Sequence, residues 1–168
     1  LKEIDKLHEK GLKRLRFTSP HPRDVHFSLM DAIANLRTVM PYIHMPLQAG
    51  HNETLKRMNR NYKIEEFRSI IELLREKVPD CAISTDIIVG FSGETDEEYQ
   101  ETLKLYKEFE FDHCYLSQYS ARNGTFAAQH LEDDISQKTK RERWHKLNEL
   151  LKEISHKKMK AFKGKTVE

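Results

Sequence analysis

The stretch Ser84-Thr85-Asp86-Ile87-Ile88-Val89-Gly90-Phe91-Ser92-Gly93-Glu94-Thr95 constrains the fold more than any other in this chain. Its β-branched apolar run has the composition of a strand in a parallel sheet, covered on both faces. The run ends in two glycines and an acidic helix start, which is how such a strand delivers a bare backbone loop to a ligand. Alternation places Ser84, Asp86 and Ile88 on one face and Thr85, Ile87 and Val89 on the other. A carboxylate among apolar neighbours must find partners or lose its charge. Asp86 is therefore either a hydrogen-bond hub of the core or a ligand contact.

The flanking segments alternate in the same way. Leu1 to Lys10 reads as the tail of a helix stopped by Gly11, so the domain opens in mid-helix, as a piece of something longer would. Arg14 to Thr18 is a short strand halted by Pro20 and Pro22, and Asp24 to Asn35 carries apolar residues at helical spacing. Tyr42 to Met45 is a second strand, stopped by Pro46. Asn52 can cap a helix through Met58, and Ile64 to Val78 forms a longer one with Phe67, Ile70, Ile71, Leu74 and Val78 inward. After the strand Ala82 to Val89, Thr95 opens a helix that buries Tyr99, Leu103 and Tyr106. His113 to Tyr119 is a fourth strand. Ser136 caps a long last helix, running to about Phe162, with Trp144, Leu147, Leu151 and Ile154 inward.

This order predicts an α/β fold of parallel strands with crossover helices and a long C-terminal helix. Four strands do not close an eight-stranded barrel, which needs about 250 residues. They form an arc, or part of a partial TIM-like barrel. Residues 1–135 make the barrel portion and 136–162 its last helix.

Composition narrows the function classes. Hydrophobic residues make up 38% and charged residues 33% of the 168 positions, and no apolar run approaches the ~18 residues of a membrane span. The opening Leu1-Lys2-Glu3-Ile4 is not a signal peptide, so the expected compartment is the cytoplasm, with no membrane partner. A net charge of +2 does not by itself argue for nucleic acid. Lys157, Lys158, Lys160, Lys163 and Lys165 crowd the end of the chain, as a solvated helix end or as an RNA-facing linker. Cys81 and Cys114 read as buried, inert thiols, and neither they nor the histidines show metal-site spacing.

Every unusual loop follows a strand: Ser19 to Pro22, Pro46 to His51, Gly90 to Thr95 and Ser120 to Thr125. Ligands gather at that end of a parallel sheet. Gly90 and Gly93 suit either a tight turn or close backbone approach to a flat ligand. Gln48 and Arg122 each end a strand-to-loop passage, and Arg57 and Arg60 follow the first of these loops. An arginine fork suits a carboxylate, and a glutamine both donates and accepts.

Arg16-Phe17-Thr18-Ser19 with His21-Pro22, His44-Met45-Pro46-Leu47-Gln48, Arg57-Met58-Asn59-Arg60, the Thr85 to Thr95 segment, and Tyr119-Ser120 with Arg122 and Gly124-Thr125 together resemble the radical-SAM methylthiotransferase family. Within it the resemblance is to the MiaB branch, which acts on isopentenyl-adenosine in tRNA. The resemblance implies a partial barrel that binds S-adenosylmethionine and works with two 4Fe–4S clusters. It would place a methylthio group on an adenosine beside the anticodon. It also implies a cofactor site at Gln48, Asp86, Gly90, Phe91, Gly93, Glu94 and Arg122, with Gly90 to Glu94 holding the adenine by backbone contacts.

Several features depart from the family pattern. The family's cluster cysteines would lie before Leu1, so the cluster ligands are absent from this chain and it is expected to be inactive alone. Ala49 and His51 stand where small hydroxyl residues are usual. Ser92, Ala121, Asn123 and Phe126 replace prolines or another small residue. Residues 163–168 look like the approach to an RNA-binding β-barrel. The branches acting on threonylcarbamoyl-adenosine or on a ribosomal protein are alternatives, as is a non-catalytic α/β binding or dimerisation module. An arc with an open flank at Arg14 to Thr18 is expected to self-associate.

Overall fold

The computed structural model describes residues 1–166; Val167 and Glu168, at the end of the expected linker, lie outside the described residues. The chain opens with helix α1 (Lys2–Asp5), which tightens into a 3-10 turn (Lys6–Lys10) ended by Gly11 at φ 97°. A second 3-10 turn (Pro22–Asp24) precedes α2 (Phe27–Asn35). Then follow β1 (Tyr42–His44), α3 (Asn52–Arg57), α4 (Ile64–Lys77), β2 (Ala82–Val89), α5 (Asp96–Phe109), β3 (His113–Gln118), α6 (Phe126–His130) and α7 (Gln137–Lys160). The three strands are parallel in the order β1-β2-β3, with Tyr42 opposite Ala82 and Asp86 opposite Tyr115. This is the expected α/β arc with a long C-terminal helix.

One expected strand is reduced. Arg14 to Thr18 makes a single parallel bridge, Leu15 to Val39, held by Leu15 N–H to Thr38 O at 2.7 Å and Met40 N–H to Leu15 O at 3.0 Å. Pro41 follows at once and has no N–H, while Pro20 closes the other side, so no second rung can form. The Pro41 carbonyl turns instead to Ala82 N–H at 2.8 Å and starts the β1–β2 ladder.

Helices cover one face of the arc. Phe67, Ile71 and Leu74 from α4, Tyr106 and Phe109 from α5, and Leu147, Leu150 and Ile154 from α7 pack with Ile43, Ile83, Ile87 and Cys114 of the strands. Phe67, Phe109 and Phe111 meet with ring centroids 5.6–6.4 Å apart, a spacing that adds to their burial. Trp144 is half-buried and donates Nε1–H to Leu116 O at 3.0 Å, which docks α7 on β3. Lys157 reaches Glu110 at 2.6 Å and Lys158 reaches Asp112 at 2.9 Å, so these two lysines pair within the fold.

Caps explain several boundaries. Thr95 Oγ1 accepts from Glu98 N–H while Glu98 reaches back to Thr95 N–H, a complete capping box at the start of α5. Ser136 Oγ accepts Thr139 N–H at 3.1 Å and starts α7. His51, rather than Asn52, caps α3 through Nδ1 at 3.3 Å from Glu53 N. The Asn52 carbonyl oxygen instead accepts Ile64 N–H at 2.8 Å, joining the starts of α3 and α4. Among the described residues no helix is long and apolar enough to cross a membrane.

Candidate functional site

The carboxyl ends of the strands enclose a cleft of about 470 Å³, to which the loops after β1, β2 and β3 contribute Gln48, Phe91 and Arg122 respectively. Gln48 continues the sheet past the break at Pro46. Its N–H donates to Asp86 O at 2.8 Å and its carbonyl accepts Ile88 N–H at 2.9 Å. It does so at φ 68°, a left-handed conformation that costs a non-glycine residue about 1 kcal/mol or more. The neighbouring backbone holds it there. Leu47 N–H donates to the buried Thr85 hydroxyl at 2.9 Å, and the Tyr62 hydroxyl donates to Pro46 O and Leu47 O at 3.0 Å each. Burial pushes the Tyr62 phenol up to about 12, so it stays a neutral donor.

Below the cleft lies the uncovered face of the arc, lined by alternate residues: Tyr42 and His44, then Ser84, Asp86 and Ile88, then His113, Tyr115 and Ser117. The Asp86 side chain is 35% exposed, and His44 Nε2 lies 3.3 Å from its carboxylate. His44 Nδ1 contacts Ser84 Oγ at 2.8 Å, which in turn meets the Tyr42 hydroxyl at 2.7 Å. Asp86 is thus the exposed end of a short polar chain, and the sheet's hydrogen bonding does not depend on its carboxylate.

The Gly90 to Thr95 turn faces elsewhere. Gly90 and Gly93 both adopt φ 72°. A Cβ on Gly90 would lie 2.4 Å from Lys140 Cγ, so the close approach at this glycine is made by the stem of a buried lysine. Lys140 donates to Tyr119 O at 3.2 Å, pairs with Asp133, and lies over the Tyr119 ring. Glu94 is buried and accepts Gly90 N–H at 2.7 Å and Arg143 Nη1–H at 2.8 Å. Burial pushes its carboxyl up, against the opposing pull of those two donors. Gly93 N–H donates to Asp134 at 2.8 Å. On the other side Arg57 links Ser92 O, at 3.1 Å from Nε, to Glu98 and Thr54.

Gln48, Phe91 and Arg122 therefore converge on the cleft, with Asp86 on the face beneath it. Gly90, Gly93 and Glu94 belong to a turn whose groups are occupied by α3, α7 and the loop that precedes α7. Sequence reading does not assign to the site Tyr119, whose ring packs on Phe91 at 4.6 Å between centroids, nor Met58 and Ser117 in the cleft wall, although Tyr119 and Met58 stand in the quoted motifs. Ser117 was legible in principle: it shares the period-two face of His113 and Tyr115.

Cys81 and Cys114 are buried free thiols, each pushed up to about 12 by burial. Among the described residues no group of three or more His, Cys, Asp or Glu side chains is arranged to hold a metal ion.

The parallel arc is a fold shared with a solved radical SAM protein. The radical SAM superfamily model matches residues 1–106, and the chain belongs to that superfamily. Coproporphyrinogen III oxidase from Escherichia coli, described as a radical SAM enzyme, superposes with a TM-score of 0.69 at 21% identity. The match covers 91% of this chain and 36% of that one, and it supports the fold alone. The more specific likeness is to proteins named tRNA-2-methylthio-N(6)-dimethylallyladenosine synthase. The one from Geobacillus kaustophilus is 44% identical over 98% of this chain, and that from Bacillus subtilis is also 44% identical over 98%. The one from Thermobifida fusca is 45% identical over 95%. The chain spans about a third of the length of these relatives.

Proposed function

We propose that this chain forms the second part of the radical-SAM barrel of a tRNA methylthiotransferase acting on an isopentenylated adenosine beside the anticodon. The observation that carries the reading is the identity of 44% along nearly the whole chain to relatives named tRNA-2-methylthio-N(6)-dimethylallyladenosine synthase. The cleft's own chemistry supports it. Arg122 makes no side-chain hydrogen bond or ion pair to protein among the described residues, so its fork is free for the carboxylate of S-adenosylmethionine. Phe91, Ile88 and Met58 offer apolar wall to the adenine and the methylene chain. Gln48 sits at the floor of the cleft, and Asp86 presents an acceptor from the uncovered face toward ribose hydroxyls or the amino group. These residues fit S-adenosylmethionine. When bound, it supplies a methyl group and, on reductive cleavage, the oxidising power for carbon–hydrogen activation. The described residues do not fit either of the family's two 4Fe–4S clusters, since the only thiols are two, buried and separate.

In this reading residues 1–135 and 136–162 act as one domain and 163–168 lead toward a part that contacts RNA. The protein works in the cytoplasm with tRNA and S-adenosylmethionine as partners. The chain in isolation is inactive and self-associates along the singly bridged Arg14 to Thr18 edge.

The test uses the whole protein that carries this chain, reconstituted anaerobically with iron and sulfide and given S-adenosylmethionine, a reductant and tRNA lacking the methylthio group. Nucleoside mass spectrometry should show methylthio-isopentenyl-adenosine. Methylthiolation of threonylcarbamoyl-adenosine instead, or an unmodified tRNA pool, would overturn the substrate assignment.

A further inference from the structure

We infer that the loop between α3 and α4 carries a basic track along which the phosphate backbone of a single-stranded RNA segment reaches the strand-end cleft. The inference rests on the tRNA reading above and specifies which surface serves it. A second hollow of about 410 Å³ lies beside the cleft, with Arg23, Lys56 and Lys63 in its wall, and Arg60 lines both hollows. With Arg122 also lining the cleft, five cations border the two hollows. Two carboxylates, Glu53 and Glu66, share the second hollow. Glu53 lies 3.9 Å from Lys56, and Glu66 is engaged by Lys63 N–H at 2.9 Å. Five cations against two carboxylates leave the path a positive surplus. The neighbouring surface across α4 and α5 is the reverse: its hollow carries Glu65, Glu97 and Glu101 against Arg68.

The loop is also built to hold its arginine still. Asn59 adopts φ 55°, which turns the chain so that Arg60 N–H donates to Leu55 O at 2.8 Å. The Tyr62 hydroxyl bonds to Pro46 O and Leu47 O then tie the same loop to the segment bearing Gln48. Within this frame the Arg60 guanidinium makes no hydrogen bond or ion pair to protein among the described residues. A fixed backbone presenting an unpaired guanidinium between two connected hollows matches a polyanion that crosses from one to the other. A phosphodiester chain supplies that charge, and a base turned off it can enter the cleft.

The experiment measures binding of a fluorescent anticodon stem–loop RNA to the whole protein across a salt series. Arg23→Gln with Lys63→Gln removes two track charges outside the cleft, Arg60→Gln removes the junction, and Lys104→Gln on α5 is the charge control. The track variants should bind on the order of fivefold more weakly per charge removed near physiological salt, and the log–log salt slope should fall by about 0.7–0.9 per charge. The Lys104→Gln control should bind as wild type. S-adenosylmethionine affinity of the Arg23→Gln, Lys63→Gln protein, read by calorimetry, should be unchanged, which also shows that the variant is folded. Wild-type affinity and slope in the track variants would overturn the inference and leave the methylthiotransferase reading standing. A wild-type protein with no salt-dependent binding of this RNA would overturn both.

Discussion

The stem of Lys140 occupies the space that a side chain on Gly90 would need: an added Cβ would stand 2.4 Å from Lys140 Cγ, in a place closed to solvent. The glycine at the end of β2 is thereby tied to α7, and the turn after it inherits that constraint.

Replacing Gly90 with Ala should destabilise the protein by roughly 2–4 kcal/mol, from left-handed backbone strain plus overpacking against Lys140. With the Lys140 stem filling this space, the loss should fall on folding. Urea unfolding of the variant measures the loss. Shortening the lysine stem in Gly90→Ala with Lys140→Ala should recover the overpacking part relative to the sum of the single changes.

Acid should loosen the junction of α3, the Gly90 to Thr95 turn and α5 through Glu98. Burial pushes this carboxyl up, but hydrogen bonds from Arg57, Thr95 N–H and Thr54 together outweigh it and hold the group below the ordinary glutamate value. A carboxyl lower in the folded than in the unfolded state stabilises fully above its unfolded value, and that stabilisation is lost as pH falls through the folded value. Stability should therefore drop below about pH 4. Arg57→Met should cost roughly 2–4 kcal/mol at neutral pH and flatten that acid limb. Thermal melts between acidic and neutral pH check both.

Asp86→Asn in the whole protein should weaken S-adenosylmethionine binding by roughly 1–3 kcal/mol, the value of a lost charge-assisted hydrogen bond. Its melting temperature should change little, because His44 keeps its contact with Ser84 and the backbone of Asp86 keeps its bond to Gln48. Calorimetric affinity set beside a thermal melt decides it. Unchanged affinity with a lowered melt would make Asp86 a core hub.

Cys81 and Cys114 should resist a thiol reagent in the native protein at neutral pH, since both are buried and their thiolates are disfavoured by burial. Both should react after unfolding in guanidinium. Rapid labelling of either thiol under native conditions would mean that β2 or β3 opens locally.

Much of this architecture is legible along the sequence because its cause is local. The alternation from Ala82 to Val89 and the Thr95–Glu98 capping box each lie within one element, and both elements form at the expected residues. The strand expected at Arg14 to Thr18 fails because its partner segment meets Pro41, which is a property of another stretch of chain. α6 is too short to show helical periodicity along the sequence, and its cap Thr125 closes a turn-like run. The site divides the same way. Strand ends forecast where Gln48, Phe91 and Arg122 gather. The occupation of Gly90 by Lys140 and of Glu94 by Arg143 depends on partners about fifty residues distant, inside a helix whose composition looks solvent-facing.

Arg143 has a further consequence. Its guanidinium bonds Glu94 O, the Glu94 carboxylate and Asp96, while its own carbonyl accepts the Tyr99 hydroxyl at 2.7 Å. The turn after β2 and the first two turns of α7 thus belong to one opening unit: neither can expose its amides without stripping the other of buried polar partners. Amide exchange at Gly90 should then report the same opening free energy as amides around Leu147. A ligand that stiffens the turn would slow exchange in the last helix as well, at a distance and without touching it.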